Sequence, residues 1–183
     1  MFFKFKVEGV ENIPRKTNFI VVANHASFLD PLCIMVAIPM KIHCIAANYL
    51  YRIKWIGWFL RKTETIPVGN SSKMAISLLE EGKVVGLFPE GAISRDGRLR
   101  NFRRGAALLA KITGRPILPC AIIGAYEILP WWAKFPKLFS SLKVKIASPI
   151  YLLKEFNETI DEFSLQQGTF KIRKAIEEML NGG

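Results

Sequence analysis

The segment VVANHASFLDP, residues 21–31, places a histidine and an aspartate five positions apart, directly after an apolar run. The overlapping stretch NFIVVAN (18–24) has the apolar character that predicts a fully buried strand. Asp30 is followed by Pro31, and because proline is favoured at the first helical position, the spacing predicts a helix over residues 31–38. A buried strand that turns through polar residues into a helix is a building unit of α/β sheets.

The alternation of strands and helices continues through the rest of the chain. Phe3, Phe5 and Val7 alternate with charged residues, which predicts a half-buried strand. Further strands are predicted at residues 41–47, 116–124 and 142–148, and residues 83–91 are predicted to form a strand that runs into a loop. Helices are predicted at 71–82, with a serine cap and a closing glycine, at 103–114 and at 164–180. The pattern predicts a single α/β domain over residues 1–183, with a mixed, largely parallel sheet flanked by helices.

The charge and the cysteines limit the classes of partner. Lysine and arginine number 26 against 15 aspartates and glutamates, a formal net charge of +11, which favours nucleic acid, anionic lipid or acidic small molecules. No DNA- or RNA-binding motif is recognisable, so we expect no nucleic acid partner. Cys33, Cys44 and Cys120 lie in apolar surroundings at irregular spacing, which predicts buried reduced thiols. No residue set has the spacing of a metal site, so we expect no metal.

His25 and Asp30 lie where the predicted strand ends, the edge at which open α/β sheets bind ligands. Positions i and i+5 share a helix face poorly, and aspartate before proline disfavours helical geometry, so we expect a bend that returns the carboxylate to the imidazole. Asp30 would then fix the tautomer of His25 and leave the other ring nitrogen free to accept a proton. No convincing nucleophile accompanies the pair, so the base would act on a substrate hydroxyl. The alternative is a helix-capping Asp30 beside a hydrogen-bonded loop histidine.

A second polar segment, LFPEGAISRDGRLRNFRRGA (87–106), follows another predicted strand and begins with the corner Pro89, Glu90 and Gly91. A guanidinium binds phosphate or carboxylate in a planar, bidentate manner, and the last two arginines also precede a helix whose free amides attract anions. The segment therefore predicts an anion site, with an exposed basic loop as the alternative. Its arginines are Arg95, Arg98, Arg100, Arg103 and Arg104.

NHASFLD (24–30) followed by FPEGAIS (88–94) and FRRGA (102–106) resembles the 1-acylglycerol-3-phosphate acyltransferase family of glycerolipid acyltransferases. The resemblance covers most of the chain. VEGVENIP (7–14) is similar to the lead-in to the family's His–Asp motif, IPVGN (66–70) to its second block, and ILPCAIIGAYEILP (117–130) to its fourth. The resemblance implies acyl transfer from acyl-CoA or acyl-carrier protein to the hydroxyl of a lysophospholipid, with 1-acylglycerol-3-phosphate as the first candidate and no cofactor.

The resemblance also implies roles for individual residues. His25 would be the general base and Asp30 its orienter, while Glu90 and Gly91 would hold the glycerol or shape the acceptor pocket. Two positions depart from the family: Ile93 replaces an arginine linked to the acceptor phosphate, and Asn70 stands where the second block usually ends in arginine. Phosphate binding would then shift to Arg95, Arg98 or Arg103. Alternatively, the acceptor is another lysophospholipid, a lyso-aminolipid or a different lipid alcohol, or the protein binds lipid without catalysis.

Two segments, NYLYRIKWIGWFLRK (48–62) and WWAKFPKLF (131–139), interleave aromatic residues with cations, as membrane interfaces favour. We expect about half of these aromatics in the core and the rest at a membrane surface that contains anionic lipid. No apolar run is long enough to span a bilayer, so we expect a peripheral or monotopic protein at the cytoplasmic face. The aromatics are Tyr49, Tyr51, Trp55, Trp58, Phe59, Trp131, Trp132, Phe135 and Phe139.

Overall fold

The computed structural model describes residues 3–137, 140–152 and 160–182, which form one sheet with helices on both faces. The strand order in the sheet is β1-β7-β6-β2-β5-β3-β4. Among the described strands, only β6 and β7 pair antiparallel. The predicted mixed, largely parallel α/β sheet is therefore confirmed. The strands are β1 (Phe3–Glu8), β2 (Ile20–Ala23), β3 (Ile42–Ala46), β4 (Ile66–Pro67), β5 (Val84–Leu87), β6 (Ile117–Ile123) and β7 (Ser140–Ile146). The helices are α1 (Asp30–Ala37), α2 (Lys54–Lys62), α3 (Ser71–Glu80), α4 (Gly105–Thr113), α5 (Ala125–Ile128) and α6 (Glu162–Asn181).

Strand β2 lies inside the sheet and is buried on both sides. Val21 and Ala23 pack on the face covered by α1 and α5, here called the α1 face. Ile20 and Val22 pack on the face covered by α3, α4 and α6, here called the α6 face. Alternate residues of a strand point to opposite faces, so a strand covered on both sides has an unbroken apolar sequence. Polar groups that serve a site must therefore follow the strand, in the loop at its carboxyl end.

The crossover connections place α2 on the α1 face as well. β2 connects through α1 to β3, and β3 connects through α2 to β4, so both crossovers advance in the same direction across the sheet. Crossovers between parallel strands are right-handed in nearly all proteins, and this rule assigns the helices of both crossovers to one face. The connections through α3 and α4 advance in the opposite direction, and Ala75 and Ala107 accordingly pack in the core of the α6 face.

The structure differs from the predicted elements in several details, and the short elements β4 and α5 were not predicted. Asn70 occupies the N-cap position of α3 and no side chain caps that helix, so the predicted serine cap is wrong: Ser71 is already inside the first turn. Helix α2 was not predicted, because its segment was read only as a run of aromatic and basic residues. The side chain of Phe3 and the whole of Phe139 lie outside the described residues.

The prediction that about half of the interfacial aromatics lie in the core is wrong. Among the described aromatics of the two segments none is buried; Tyr51 and Phe59 are half-buried. Helix α2 precedes the edge strand β4 in the chain, and β4 has only two residues, so this end of the sheet offers little apolar surface to cover the aromatic side chains of α2. Within the described ranges, no helix combines the length and the apolar character that a membrane span requires. The exposed aromatics, between 45% and 83% accessible, are Tyr49, Trp55, Trp58, Trp131, Trp132 and Phe135.

Candidate active site

The two polar segments meet because the strands before them are parallel neighbours. β2 pairs with β5 in the register Ile20↔Val85 and Val22↔Leu87. The carboxyl ends of parallel neighbours lie side by side, so the loops that follow them emerge at the same edge. The backbone carbonyl of His25 accepts a hydrogen bond from the Ser94 N–H at 2.7 Å, which joins the two loops directly.

His25 and Asp30 form the predicted pair. His25 Nδ1 lies 2.9 Å from Asp30 Oδ2, and the same oxygen accepts the backbone N–H groups of Ala26 at 2.6 Å and Ser27 at 2.7 Å. Asp30 is fully buried, whereas 17% of the His25 side chain is exposed. The helix-cap alternative is wrong, because the Asp30 carboxylate accepts from residues before α1 and caps no amide within it. When Nδ1–H donates to the carboxylate, Nε2 presents a lone pair that can accept a proton.

The loop after β5 holds the imidazole in place. The His25 ring stacks on Phe88, with ring centroids 4.4 Å apart and planes inclined by 24°. The His25 N–H donates to Glu90 Oε1 at 2.7 Å, so the backbone of this residue is held from both its N–H and its carbonyl. These contacts leave the histidine ring little freedom to rotate away from Asp30.

Asn24 and Ser27 anchor the same loop to the structure beneath it, and the sequence analysis did not single them out. The Asn24 side chain donates to the Ile122 carbonyl at 2.9 Å and accepts the Ile122 N–H at 2.7 Å. Ser27 Oγ donates to the Leu129 carbonyl at 2.7 Å. Both residues are buried, and a buried polar side chain must find hydrogen-bond partners. Two polar residues flanking the histidine in an apolar stretch were the available sequence signal.

Glu90 connects the two loops through both of its carboxylate oxygens. Oε1 accepts the His25 N–H at 2.7 Å, and Oε2 accepts the Arg100 N–H at 3.0 Å. Burial raises the pKa of the Glu90 carboxyl, and these two hydrogen bonds oppose that rise. Both described bonds go to backbone donors, so the geometry favours the second of the two predicted roles: Glu90 shapes the pocket and does not itself hold the glycerol.

The Glu90→Gln variant is expected to lower the free energy of unfolding by about 1–3 kcal/mol, because one buried backbone N–H loses its acceptor. A glutamine amide supplies one oxygen, so its NH₂ group must face the N–H of either His25 or Arg100. Urea denaturation of the variant and of the exposed-site control Glu80→Gln measures the difference. Equal stability of the two variants would show that Glu90 does not tie the loops together.

Gly91 and Arg103 pack directly against each other. Gly91 has φ +74°, the left-handed region, and a Cβ at this position would lie 2.6 Å from Arg103 Nε. Only glycine therefore permits both the turn and the close approach of the guanidinium. The Arg103 N–H donates to the Pro89 carbonyl at 2.8 Å, so the residue is fixed to the corner at its backbone as well.

Arg95 is held elsewhere, against the second aromatic segment. Its guanidinium carbon lies 5.5 Å from the centre of the Trp131 ring, and its carbonyl accepts from Tyr126 Oη at 3.1 Å and Trp131 Nε1 at 3.3 Å. The described contacts thus separate the two predicted acceptor-binding arginines, with Arg103 on the Gly91 corner and Arg95 at the aromatic segment. Asn70 is exposed and Ile93 is half-buried, and neither supplies a cation.

The cysteines do not provide a nucleophile. Burial raises the pKa of the Cys33 thiol to about 12, and the nearby Asp30 charge adds to this effect. Burial likewise raises the pKa of the Cys44 thiol to about 12. These thiols stay protonated at neutral pH, so the pair acts on a group that the substrate brings. Among the described residues no group of three or more His, Cys, Asp and Glu side chains is arranged to hold a metal ion.

This fold and this site define an α/β protein that holds a hydrogen-bonded His–Asp pair at the carboxyl edge of a largely parallel sheet, next to an arginine-bearing loop. The chain belongs to the acyltransferase family, whose sequence profile matches residues 4–123. The resemblance stated from the motifs is therefore confirmed.

Individual relatives agree with the family match. The chain is 31% identical over 159 residues to the chloroplastic 1-acyl-sn-glycerol-3-phosphate acyltransferase BAT2 of Brassica napus, covering 82% of this chain and 46% of that protein. It is 36% identical over 126 residues to the 1-acyl-sn-glycerol-3-phosphate acyltransferase of Bacillus subtilis, covering 65% of this chain and 62% of that protein. The chain thus spans about half the length of the curated relatives it matches.

A solved structure shares the fold. The crystal structure of the 1-acyl-sn-glycerophosphate (LPA) acyltransferase PlsC from Thermotoga maritima matches with a TM-score of 0.78 and 31% sequence identity. The match covers 96% of this chain and 72% of that chain. The sheet described above is therefore an acyltransferase fold.

Proposed function

We propose that the protein transfers a fatty acyl group from a thioester, acyl-CoA or acyl-carrier protein, to the free hydroxyl of a lysophospholipid, with 1-acylglycerol-3-phosphate as the first candidate acceptor. The observation that carries the proposal is the His25–Asp30 pair, 2.9 Å apart, with the histidine side chain partly exposed. The names of the Brassica, Bacillus and Thermotoga relatives support the same chemistry. The proposed reaction uses no cofactor beyond the acyl donor.

In the proposed mechanism, His25 Nε2 takes the proton of the acceptor hydroxyl as the hydroxyl oxygen attacks the thioester carbonyl. The tetrahedral intermediate collapses, the carbon–sulfur bond breaks, and the departing thiolate takes the proton from the imidazolium. Asp30 holds Nδ1–H throughout and stabilises the positive ring while it exists. The histidine is thus regenerated, and the products are the acylated lipid and the free carrier thiol.

Arg103 is the residue we assign to the anionic head group of the acceptor. The Arg103 side chain packs on Gly91. Gly91 directly follows Glu90, and Glu90 accepts the hydrogen bond from the backbone N–H of His25. A guanidinium at this corner can bind phosphate while the acceptor hydroxyl reaches the imidazole. The assignment supplies a cation that Asn70 and Ile93 do not.

Arg103→Ala is expected to raise the acceptor's Michaelis constant by about 10–100-fold, because a charge-assisted hydrogen bond is lost while the backbone bond to Pro89 remains. Arg103→Lys should give an intermediate value, since lysine keeps the charge but not the planar fork. The matched control is Arg104→Ala, because Arg104 forms an ion pair with Glu162 on α6. Steady-state kinetics with varied acceptor measures all three. Equal constants for Arg103→Ala and Arg104→Ala would remove Arg103 from the acceptor site.

Product analysis tests the proposed function itself. The purified protein is incubated with acyl-CoA or acyl-carrier protein and a panel of lysolipids that differ in head group, and mass spectrometry identifies the acylated products. Product from lysophosphatidate supports the first candidate acceptor, and product only from another lysolipid moves the assignment to that acceptor. No product from any donor and acceptor combination would instead favour lipid binding without catalysis.

We also propose that the protein works as a peripheral protein at the cytoplasmic face of a membrane. The acceptor and the product of the proposed reaction are lipids, and exposed aromatics stand beside basic residues in both interfacial segments. Buried free cysteines suit the reducing cytoplasmic side.

A further inference from the structure

The outer side of α1 carries an exposed apolar row that the sequence analysis did not identify. Leu32 and Val36 are both exposed and lie four residues apart, on one side of the helix. Phe28 and Met40, which precede and follow α1 in the chain, are exposed as well. Contiguous exposed apolar surface of this kind marks an interaction site more often than isolated side chains do.

The row lies on the same sheet face as the two aromatic segments. The handedness of the crossovers puts α2 on the α1 face, and Leu129, just after α5, packs into the core of that face. The Lys137 N–H donates to the Ile128 carbonyl at 2.8 Å, which keeps the segment between them nearby. We call the exposed apolar side chains of these three segments the docking surface. They are Phe28, Leu32, Val36, Met40, Tyr49, Ile53, Trp55, Ile56, Trp58, Trp131, Trp132 and Phe135.

The charges around the docking surface identify its partner. The sequence has no acidic residue between Asp30 and Glu64, nor between Glu127 and the end of the second aromatic segment. Two exposed aromatics outside the docking surface, Phe163 and Phe170, lie on α6, which carries acidic and basic residues together. Glu127 lies beside Trp132 and Phe135, and Glu64 pairs with Lys41, but within the three segments the exposed charged side chains are all cations. An apolar surface with such an excess of cations fits anionic lipid head groups. Exposed cations in the three segments are Arg52, Lys54, Arg61, Lys62, Lys134 and Lys137.

We propose that the docking surface, including the α1 row, inserts into the head-group and upper acyl region of an anionic bilayer. The inference rests on the proposed function, which requires a lipid acceptor. A bilayer fits this surface better than a second copy of the chain, because two facing copies would bring the same cations together. Helix α1 begins at Asp30, and Phe28 lies three positions after His25, so docking through α1 brings the lipid surface to the catalytic loop.

The tryptophans report this contact without an added probe. The chain has four tryptophans, all exposed and all in the docking surface. Vesicles of phosphatidylcholine and phosphatidylglycerol, with bromine atoms on the phosphatidylcholine acyl chains, are expected to quench their fluorescence strongly. Added salt should reduce the quenching, because charge contributes to the binding. Vesicles that sediment with the protein and leave its fluorescence unchanged would overturn the proposed orientation.

A matched pair of double variants tests the α1 row itself. Leu32→Glu with Val36→Glu places two acids in the row, and Phe163→Glu with Phe170→Glu places two acids on exposed residues of the α6 face. We expect the first pair to lower binding to phosphatidylglycerol vesicles by about tenfold or more, and the second to bind as the wild type does. Thermal melting confirms that both variants are folded. Equal binding by the two pairs would remove α1 from the docking surface.

The remaining outcomes separate this inference from the proposed function. Vesicle sedimentation needs no turnover, so His25→Ala protein is expected to bind as the wild type does. A wild type that binds through α1 but forms no product would support the docking surface and contradict the enzyme. If the Leu32→Glu, Val36→Glu variant kept both its vesicle binding and its acyl transfer, the proposed enzymatic function would stand and the docking inference would be overturned. A wild-type dimer that the α1 pair dissociates would assign the row to a second copy and also overturn it.

Discussion

Replacing His25 with alanine is expected to slow acyl transfer by on the order of 10²–10⁴-fold, the usual contribution of a positioned general base. The imidazole is held by Asp30, by the stacked Phe88 ring and by backbone bonds from its own N–H and carbonyl. Alanine keeps those backbone bonds, so the loop geometry should persist while proton transfer is lost. Product formation at saturating acceptor and donor, followed by mass spectrometry, measures the decrease.

The second histidine of the chain supplies a matched control. His43 is buried near the amino-terminal end of β3, whereas His25 follows the carboxyl end of β2. The His43 Nδ1 atom lies 3.2 Å from the Glu64 carbonyl. His43→Asn is expected to lower the melting temperature and to leave the turnover of the folded protein near the wild-type value. A purified, folded His25→Ala protein that retains wild-type turnover would remove the proposed mechanism.

The sheet and the His–Asp pair were predictable because their signals are local. A strand covered by helices on both faces must be apolar throughout, and residues 20–23 and 84–87 show this directly in the sequence. Asp30 before Pro31 disfavours a continuous helix back to His25, so a bend was expected, and the structure shows it in the 2.9 Å contact. The parallel pairing of β2 and β5 then brings the second polar segment to the same edge.

The partners of the site residues depend on tertiary contacts that no local pattern encodes. The sequence shows that Glu90 follows a strand, but not that both of its oxygens accept backbone N–H groups ten or more residues away. Arg95 and Arg103 look equivalent in the sequence, yet one packs on Trp131 and the other on Gly91. The sequence analysis placed too many aromatics of α2 in the core. The residue type does not reveal how much sheet surface is available to cover an aromatic side chain.

Asp30→Asn is expected to lower the turnover number by about 10²–10⁴-fold with little change in fold. Asp30 Oδ2 accepts three hydrogen bonds, whereas Oδ1 is buried without a hydrogen-bond partner in the described part of the chain. An asparagine can place its oxygen at the Oδ2 position and keep the Ala26 and Ser27 bonds. It lacks the negative charge that stabilises the His25 imidazolium, so the loss should appear mainly in turnover.

Asp30→Ala separates the structural part of this role from the chemical part. It removes the acceptor of two buried backbone N–H groups and should lower the free energy of unfolding by about 1–3 kcal/mol for each group left unpaired. If Asp30 only shaped the loop, Asp30→Asn would keep both stability and turnover, and only Asp30→Ala would lose them. If Asp30 orients and charges the base, both variants lose turnover and only Asp30→Ala loses substantial stability. Urea denaturation and acceptor kinetics on the two proteins distinguish these cases, because the two roles of Asp30 act on different measured quantities.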